Sequence, residues 1–101
     1  MEVELLWFPG CPSWRVTAER LREALPLAGV DADVVLVEVT TPADAERLRF
    51  RGSPTVLVEG RDPFAEDADP VGLSCRVFRT PEGLRGAPTV EMLVEVLRGA
   101  E

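Results

Sequence analysis

Residues 7–14 read Trp7-Phe8-Pro9-Gly10-Cys11-Pro12-Ser13-Trp14, or WFPGCPSW. Two different periodicities meet here. Before the stretch runs VELLWF, Val3 to Phe8, a short apolar run that stops at Pro9-Gly10 and reads as a buried strand. After it, Trp14, Ala18, Leu21, Leu25 and Ala28 recur at helical spacing, with arginines and glutamates on the other face. The spacing predicts a helix over about residues 12–25, closed by Pro26 and Gly29. A strand that turns directly into a helix points to a βαβ unit. Such a crossover is right-handed and makes the next strand parallel to the first.

The rest of the chain extends that unit. Val34 to Val39 (VVLVEV) reads as the second strand, buried on both faces. Thr41-Pro42-Ala43-Asp44 is a helix start, with Thr as N-cap, Pro at the first helical position and an acid in the first turn; the helix ends near Phe50. Gly52-Ser53-Pro54-Thr55 leads into a third strand, Thr55 to Glu59, followed by a turn at Gly60-Arg61-Asp62. Residues 62–73 (DPFAEDADPVGL) are acidic, hold two prolines and show no period, a long connection between paired strands.

Leu73 to Phe78 reads as a fourth strand, with Leu73, Cys75 and Val77 on one face and Ser74, Arg76 and Phe78 on the other. Thr80 to Pro88 is a Pro/Gly loop, and Val90, Leu93, Val94 and Leu97 form the apolar stripe of a closing helix that Gly99 ends. The order β-α-β-α-β-β-α predicts one α/β domain over residues 1–101. Its sheet is expected to be mixed and four-stranded, with helices on both faces.

Composition removes several function classes. The net charge is −7, which argues against sequence-independent nucleic-acid binding and against anionic membrane surfaces. No apolar run approaches the roughly 20 residues of a membrane helix. Met1 is followed at once by the first strand, so no signal peptide is expected, and a cytoplasmic protein with reduced thiols is. Histidine and tyrosine are absent, which leaves carboxylates, thiols, backbone groups and water for proton transfer. Two cysteines make neither a disulfide framework nor a zinc ligand set, and no motif calls for a metal or a cofactor. All eleven basic residues are arginine, and lysine, asparagine, glutamine and isoleucine are missing, as a GC-rich genome would give.

Three landmarks, Gly10-Cys11-Pro12, Ser53-Pro54-Thr55 and the late Gly86-Ala87, stand in an order that resembles the thioredoxin-like superfamily in its compact, glutaredoxin-sized form. The chain looks most similar to small bacterial thioredoxin-like proteins, some of them associated with organomercurial lyases. The resemblance spans nearly the whole chain. It implies a cis peptide before Pro54, close to Cys11. It also implies that Ser53, Pro54 and Thr55 form a platform on which a substrate peptide pairs as an added strand. The plain alternative for these residues is a turn that starts a strand. The chain departs from the family at the position where a second thiol or a serine is usual. Cys11-Pro12-Ser13-Trp14 ends in tryptophan, so no dithiol cycle can run within the motif.

Cys11 has a physical case of its own. A thiol at a helix N-terminus meets unpaired N–H groups and the positive end of the helix dipole. Such sites lower a cysteine pKa from about 8.5 to roughly 3.5–7.5. Pro12 suits the first helical position, Ser13 offers a hydroxyl and an N–H, and Trp14 lies one turn on. The alternative is a small capping residue that tryptophan covers. Trp7 or Phe8 is expected in the core, and an exposed aromatic beside Cys11 would mark a partner-binding patch. In a thioredoxin-like topology the fourth strand starts at the sheet end away from Cys11. Cys75 is therefore expected beyond the Cα separation of about 4.4–6.8 Å that a disulfide needs. It reads as structural, or else as a second thiol that a movement of the 60–73 segment delivers. Glu66, Asp67 and Asp69 fit no calcium-loop spacing and read as a solvated acidic loop.

The expectation is therefore a single-cysteine thiol–disulfide oxidoreductase. Cys11 would form a mixed disulfide with a small thiol or a protein disulfide substrate, resolved by a second thiol molecule. Two other readings stay open: a non-catalytic binding module using the Pro54 edge, and soft-metal or organomercurial binding by the thiols. Oligomeric state is not legible.

Overall fold

A computed structural model describes residues 1–66 and 69–100. Strand β1 (Val3–Trp7) runs into helix α1 (Ser13–Leu27), and strand β2 (Val34–Glu38) returns parallel to β1, in register from Val3 opposite Val34 to Trp7 opposite Glu38. Helix α2 (Pro42–Leu48) follows. Strand β3 (Thr55–Val58) then lies antiparallel on the other side of β1, with Leu6 opposite Thr55 and Val3 opposite Val58. Strands β4 (Phe78–Thr80) and β5 (Gly83–Arg85) form a hairpin of their own, and helix α3 (Val90–Gly99) closes the described chain.

Local chemistry explains most of these elements. The side chain of Thr41 caps α2 by accepting the Asp44 N–H at 3.1 Å, with Pro42 in the first turn. Arg49 ends α2 in the left-handed region at φ 52°, which turns the buried Phe50 inward. Thr89 caps α3 in the same way through the Met92 N–H. Helices α1 and α3 pack on one sheet face, where Ala18, Leu21, Ala24, Leu25, Leu93 and Leu97 meet Val3, Leu5, Val56 and Val58. On the opposite face Leu6, Val39, Ala45 and Phe50 form a smaller core under α2.

The four-stranded sheet expected from the sequence is not formed. The sheet has three strands in the order β2-β1-β3, and the second sheet is the two-stranded β4-β5 hairpin. Part of the expected 80–88 loop is thus strand β5. The physical reason lies after β3. Glu59 and Gly60 take positive φ values of 53° and 77°, and Val58 and Arg61 exchange backbone hydrogen bonds at 2.8 and 3.1 Å. The ladder then stops at Asp62-Pro63, because proline has no N–H to continue it. The chain instead travels back along the molecule until the Gly72 N–H donates to the Phe50 carbonyl at 3.0 Å.

Strand β2 corrects a second expectation. It is an outer strand with one neighbour. Val35, on the α2 face, and Leu36, on the α1 face, are 53% and 41% exposed, so the helices leave part of each face of this edge strand uncovered rather than burying both. No helix among the described residues is long and apolar enough to cross a membrane.

Candidate functional site at the β1–α1 junction

Cys11 lies between β1 and α1, where the sequence put it. Its N–H donates to the Phe8 carbonyl at 3.3 Å, and Pro12 stands at the N-cap of α1. The next residues hold the turn in place. Trp14, which occupies the position of the missing second thiol, stacks on Trp7 with ring centroids 4.3 Å apart and planes inclined by 25°. The Arg15 guanidinium lies 5.3 Å from the Trp14 ring centroid. Phe8 meets the buried Phe50 edge-on at 6.4 Å. Both tryptophans and Phe8 are half-buried, so the aromatic group splits between core and surface. Gly86 passes so near that a Cβ there would stand 2.6 Å from the Ser13 Oγ, which is how the late Gly86-Ala87 landmark joins this end of the molecule.

Cys75 is not distant. It is disulfide-bonded to Cys11, with a Cα–Cα separation of 5.6 Å, and neither cysteine is free. The expectation failed because it placed residues 73–78 in the main sheet, starting at the far end. The return path of residues 61–72 brings them to the near end instead. Their contact with the β3 end of the main sheet is a single parallel bridge among the described residues, Ser53 with Cys75: the Ser53 N–H donates to the Ser74 carbonyl at 2.7 Å, and the Arg76 N–H donates to the Ser53 carbonyl at 3.0 Å. The alternation read from the sequence holds, with Leu73, Cys75 and Val77 exposed while Arg76 and Phe78 are buried.

Ser53 links the two halves of the site. Its Oγ accepts the Phe8 N–H at 3.3 Å, so a short chain of hydrogen bonds runs from Cys11 through Phe8 and Ser53 to the backbone on either side of Cys75. The Ser53-Pro54 peptide is cis. Ser53, Pro54 and Thr55 are buried, and Thr55 Oγ1 donates to the Gly52 carbonyl at 2.7 Å. Both backbone groups of Ser53 are taken by residues 74 and 76, so the edge expected to receive a substrate peptide holds a segment of the same chain. Pro12 is exposed and Ser13 half-buried.

Three residues that the sequence reading did not single out hold this segment. Gly52 has φ +104°, and a Cβ there would lie 3.1 Å from the Ser74 carbonyl oxygen and 3.2 Å from the Arg76 nitrogen, so glycine favours both this backbone conformation and the close approach. Arg76 points inward. Its Nη1 and Nη2 bond Asp62 Oδ2 and Oδ1 at 2.6 and 3.2 Å, its Nη1 is 3.4 Å from Thr55 Oγ1, and its guanidinium lies over the Phe78 ring at 4.9 Å. The Arg76 and Asp62 side chains are only 4% and 11% exposed. A signal was present in the sequence, since the alternation puts Arg76 on the same face as Phe78.

Of the acids considered as a solvated loop, Asp67 lies outside the described residues. Asp69 Oδ2 is 3.8 Å from Arg76 Nη2, and Glu66 pairs with Arg79 at 3.2 Å while its carbonyl accepts from Arg51 at 2.7 Å. Glu66 is thus a solvent-exposed acid paired with an exposed arginine, its side chain 55% exposed, while Asp69 lies nearer the covered Arg76.

No family model, curated protein or solved structure matches this chain.

Proposed function

We propose that this chain is a thioredoxin-like thiol–disulfide oxidoreductase whose working couple is Cys11 with Cys75, acting on a small or protein disulfide. The observation that carries the reading is the placement of the two sulfurs. One stands at the N-terminal end of a fifteen-residue helix with no acid in its first turn, and the other belongs to Cys75, an exposed residue on a segment joined to the adjoining loop. Helix N-termini stabilise an anion, so this is a favourable place for a thiolate to be formed or released. The pair also supplies the resolving thiol that Trp14 cannot.

The reaction balances within the protein. The reduced protein holds two thiols. A thiolate attacks one sulfur of a substrate disulfide, a protein–substrate disulfide forms, and the first substrate sulfur leaves as a thiolate and takes up a proton. The second protein thiolate then closes the Cys11–Cys75 bond and expels the other substrate sulfur, which is protonated in turn. The substrate disulfide is reduced to two thiols while the protein dithiol is oxidised.

The test is stoichiometric. Folded protein is reduced with dithiothreitol, freed of reductant, and given a small disulfide. Wild type should end two hydrogens lighter by intact mass, with no adduct, and release both halves of the reagent as thiols. Cys11→Ser and Cys75→Ser should each stop at a stable adduct or remain unreacted. A disulfide that dithiothreitol reduces only after unfolding would make the bond structural and end the proposal.

A further inference from the structure

We infer that the substrate-linked disulfide is carried by Cys75, and that Cys11 is the covered thiol that resolves it. The inference rests on the thiol–disulfide reading above and reverses the roles that sequence position alone suggests.

Access comes first. Cys11 as a whole residue is 2% exposed, so its sulfur offers almost no surface to an incoming reagent, whereas Cys75 is exposed. Thiol–disulfide exchange needs the attacking sulfur to reach its target, and which sulfur is attacked depends on that access. The difference would vanish if reduction let residues 74–76 swing away. Several restraints that do not depend on the disulfide oppose this. Ser53 bonds the segment through both its N–H and its carbonyl, Gly52 lets it lie close, and Arg76 is anchored to Asp62 under cover. The reduced protein therefore keeps Cys11 beneath the segment and presents Cys75 to solvent.

The leaving group agrees with the access. When an external thiolate attacks the Cys75 sulfur, the Cys11–Cys75 bond breaks and its electron pair departs on Cys11, at the end of α1 that favours an anion. In the oxidising direction the same path runs backwards. The Cys75 thiolate attacks a substrate disulfide and expels one substrate thiolate. Cys11 then attacks the Cys75 sulfur of the mixed disulfide, forming the internal bond and expelling the second. Two protein thiols and one substrate disulfide become one protein disulfide and two substrate thiols. The short Cα separation of 5.6 Å lets Cys11 close the bond with the segment in place.

The experiment uses reduced Cys11→Ser and Cys75→Ser proteins, each given excess glutathione disulfide, with adduct formation followed by intact mass. Cys11→Ser should acquire glutathione at least about tenfold faster than Cys75→Ser, because only the former keeps the accessible thiol. A Cys75→Ser variant that reacts as fast or faster would overturn the inference. A second measurement avoids both substitutions: reduced wild type is treated with limiting iodoacetamide, and the label is located by peptide mapping. Label on Cys75 supports the assignment, and label on Cys11 refutes it. The two proposals fail separately. Adduct-free oxidation of wild type with first labelling at Cys11 would sink this inference alone, whereas a disulfide that stays intact in the folded protein would sink both.

Discussion

Replacing Arg76 with methionine should destabilise the protein far more than a change at a surface arginine. The guanidinium makes two hydrogen bonds to the Asp62 carboxylate, at 2.6 and 3.2 Å, and both side chains are nearly enclosed. Methionine fills much of the same volume but leaves the Asp62 carboxylate facing it without a cation. Breaking a buried pair from one side costs about 3–5 kcal/mol. The lost contact with the Phe78 ring at 4.9 Å adds to that. With a urea slope of roughly 1.5 kcal/mol per molar for a chain of this size, the unfolding midpoint should fall by about 2–3 M.

The assay is urea denaturation of the oxidised protein, followed by tryptophan fluorescence. Arg76→Met combined with Asp62→Asn should recover at least half of the loss, because the stranded charge is gone and the amide oxygen still accepts the Phe64 N–H that Asp62 Oδ1 accepts at 3.0 Å. A midpoint within about 0.5 M of wild type for Arg76→Met would refute the reasoning, since the pair would then behave like an exposed one.

Three further outcomes follow from the same structure. Gly52→Ala should lose about 1–3 kcal/mol by urea denaturation, because φ +104° is strained for alanine and its Cβ would press on Ser74. Reducing the disulfide, which joins cysteines separated by 64 positions, should lower stability by up to about 4 kcal/mol, read as the difference between midpoints with and without dithiothreitol. Val35→Thr should change stability by no more than about 0.5 kcal/mol, because the residue is 53% exposed on the outer strand; a loss of several times that would mean the strand is covered.

What could be read from the chain before folding was whatever its neighbours in sequence decide. The strand-to-helix switch at Cys11, the Thr41 cap and the Leu93–Leu97 stripe depend on residues a few positions apart, and they appear where their spacing puts them. The same holds for the inward and outward alternation from Leu73 to Phe78. The position of that alternating stretch was a different matter. Its route depends on Asp62 meeting Arg76 fourteen residues later, and on a close approach at Gly52. An arginine among acids looks the same in sequence whether it is solvated or enclosed. The sequence therefore marked Cys11 and Ser53 as a site but gave no measure of how far Cys75 stood from them. Likewise, the run at Val34–Val37 reads as a central strand, although its place at the sheet edge and the helices over its two faces decide how much of it is dry.

The bond between positions 11 and 75 also has a topological consequence. It converts residues 11–75 into a covalent ring that includes α1, β2, α2, β3 and the long return segment. A single cut in that ring, for example by trypsin at the exposed Arg61 in its tight turn, releases no fragment while the bond is intact. The nicked oxidised chain would migrate as one piece until a thiol is added, and would then separate into two.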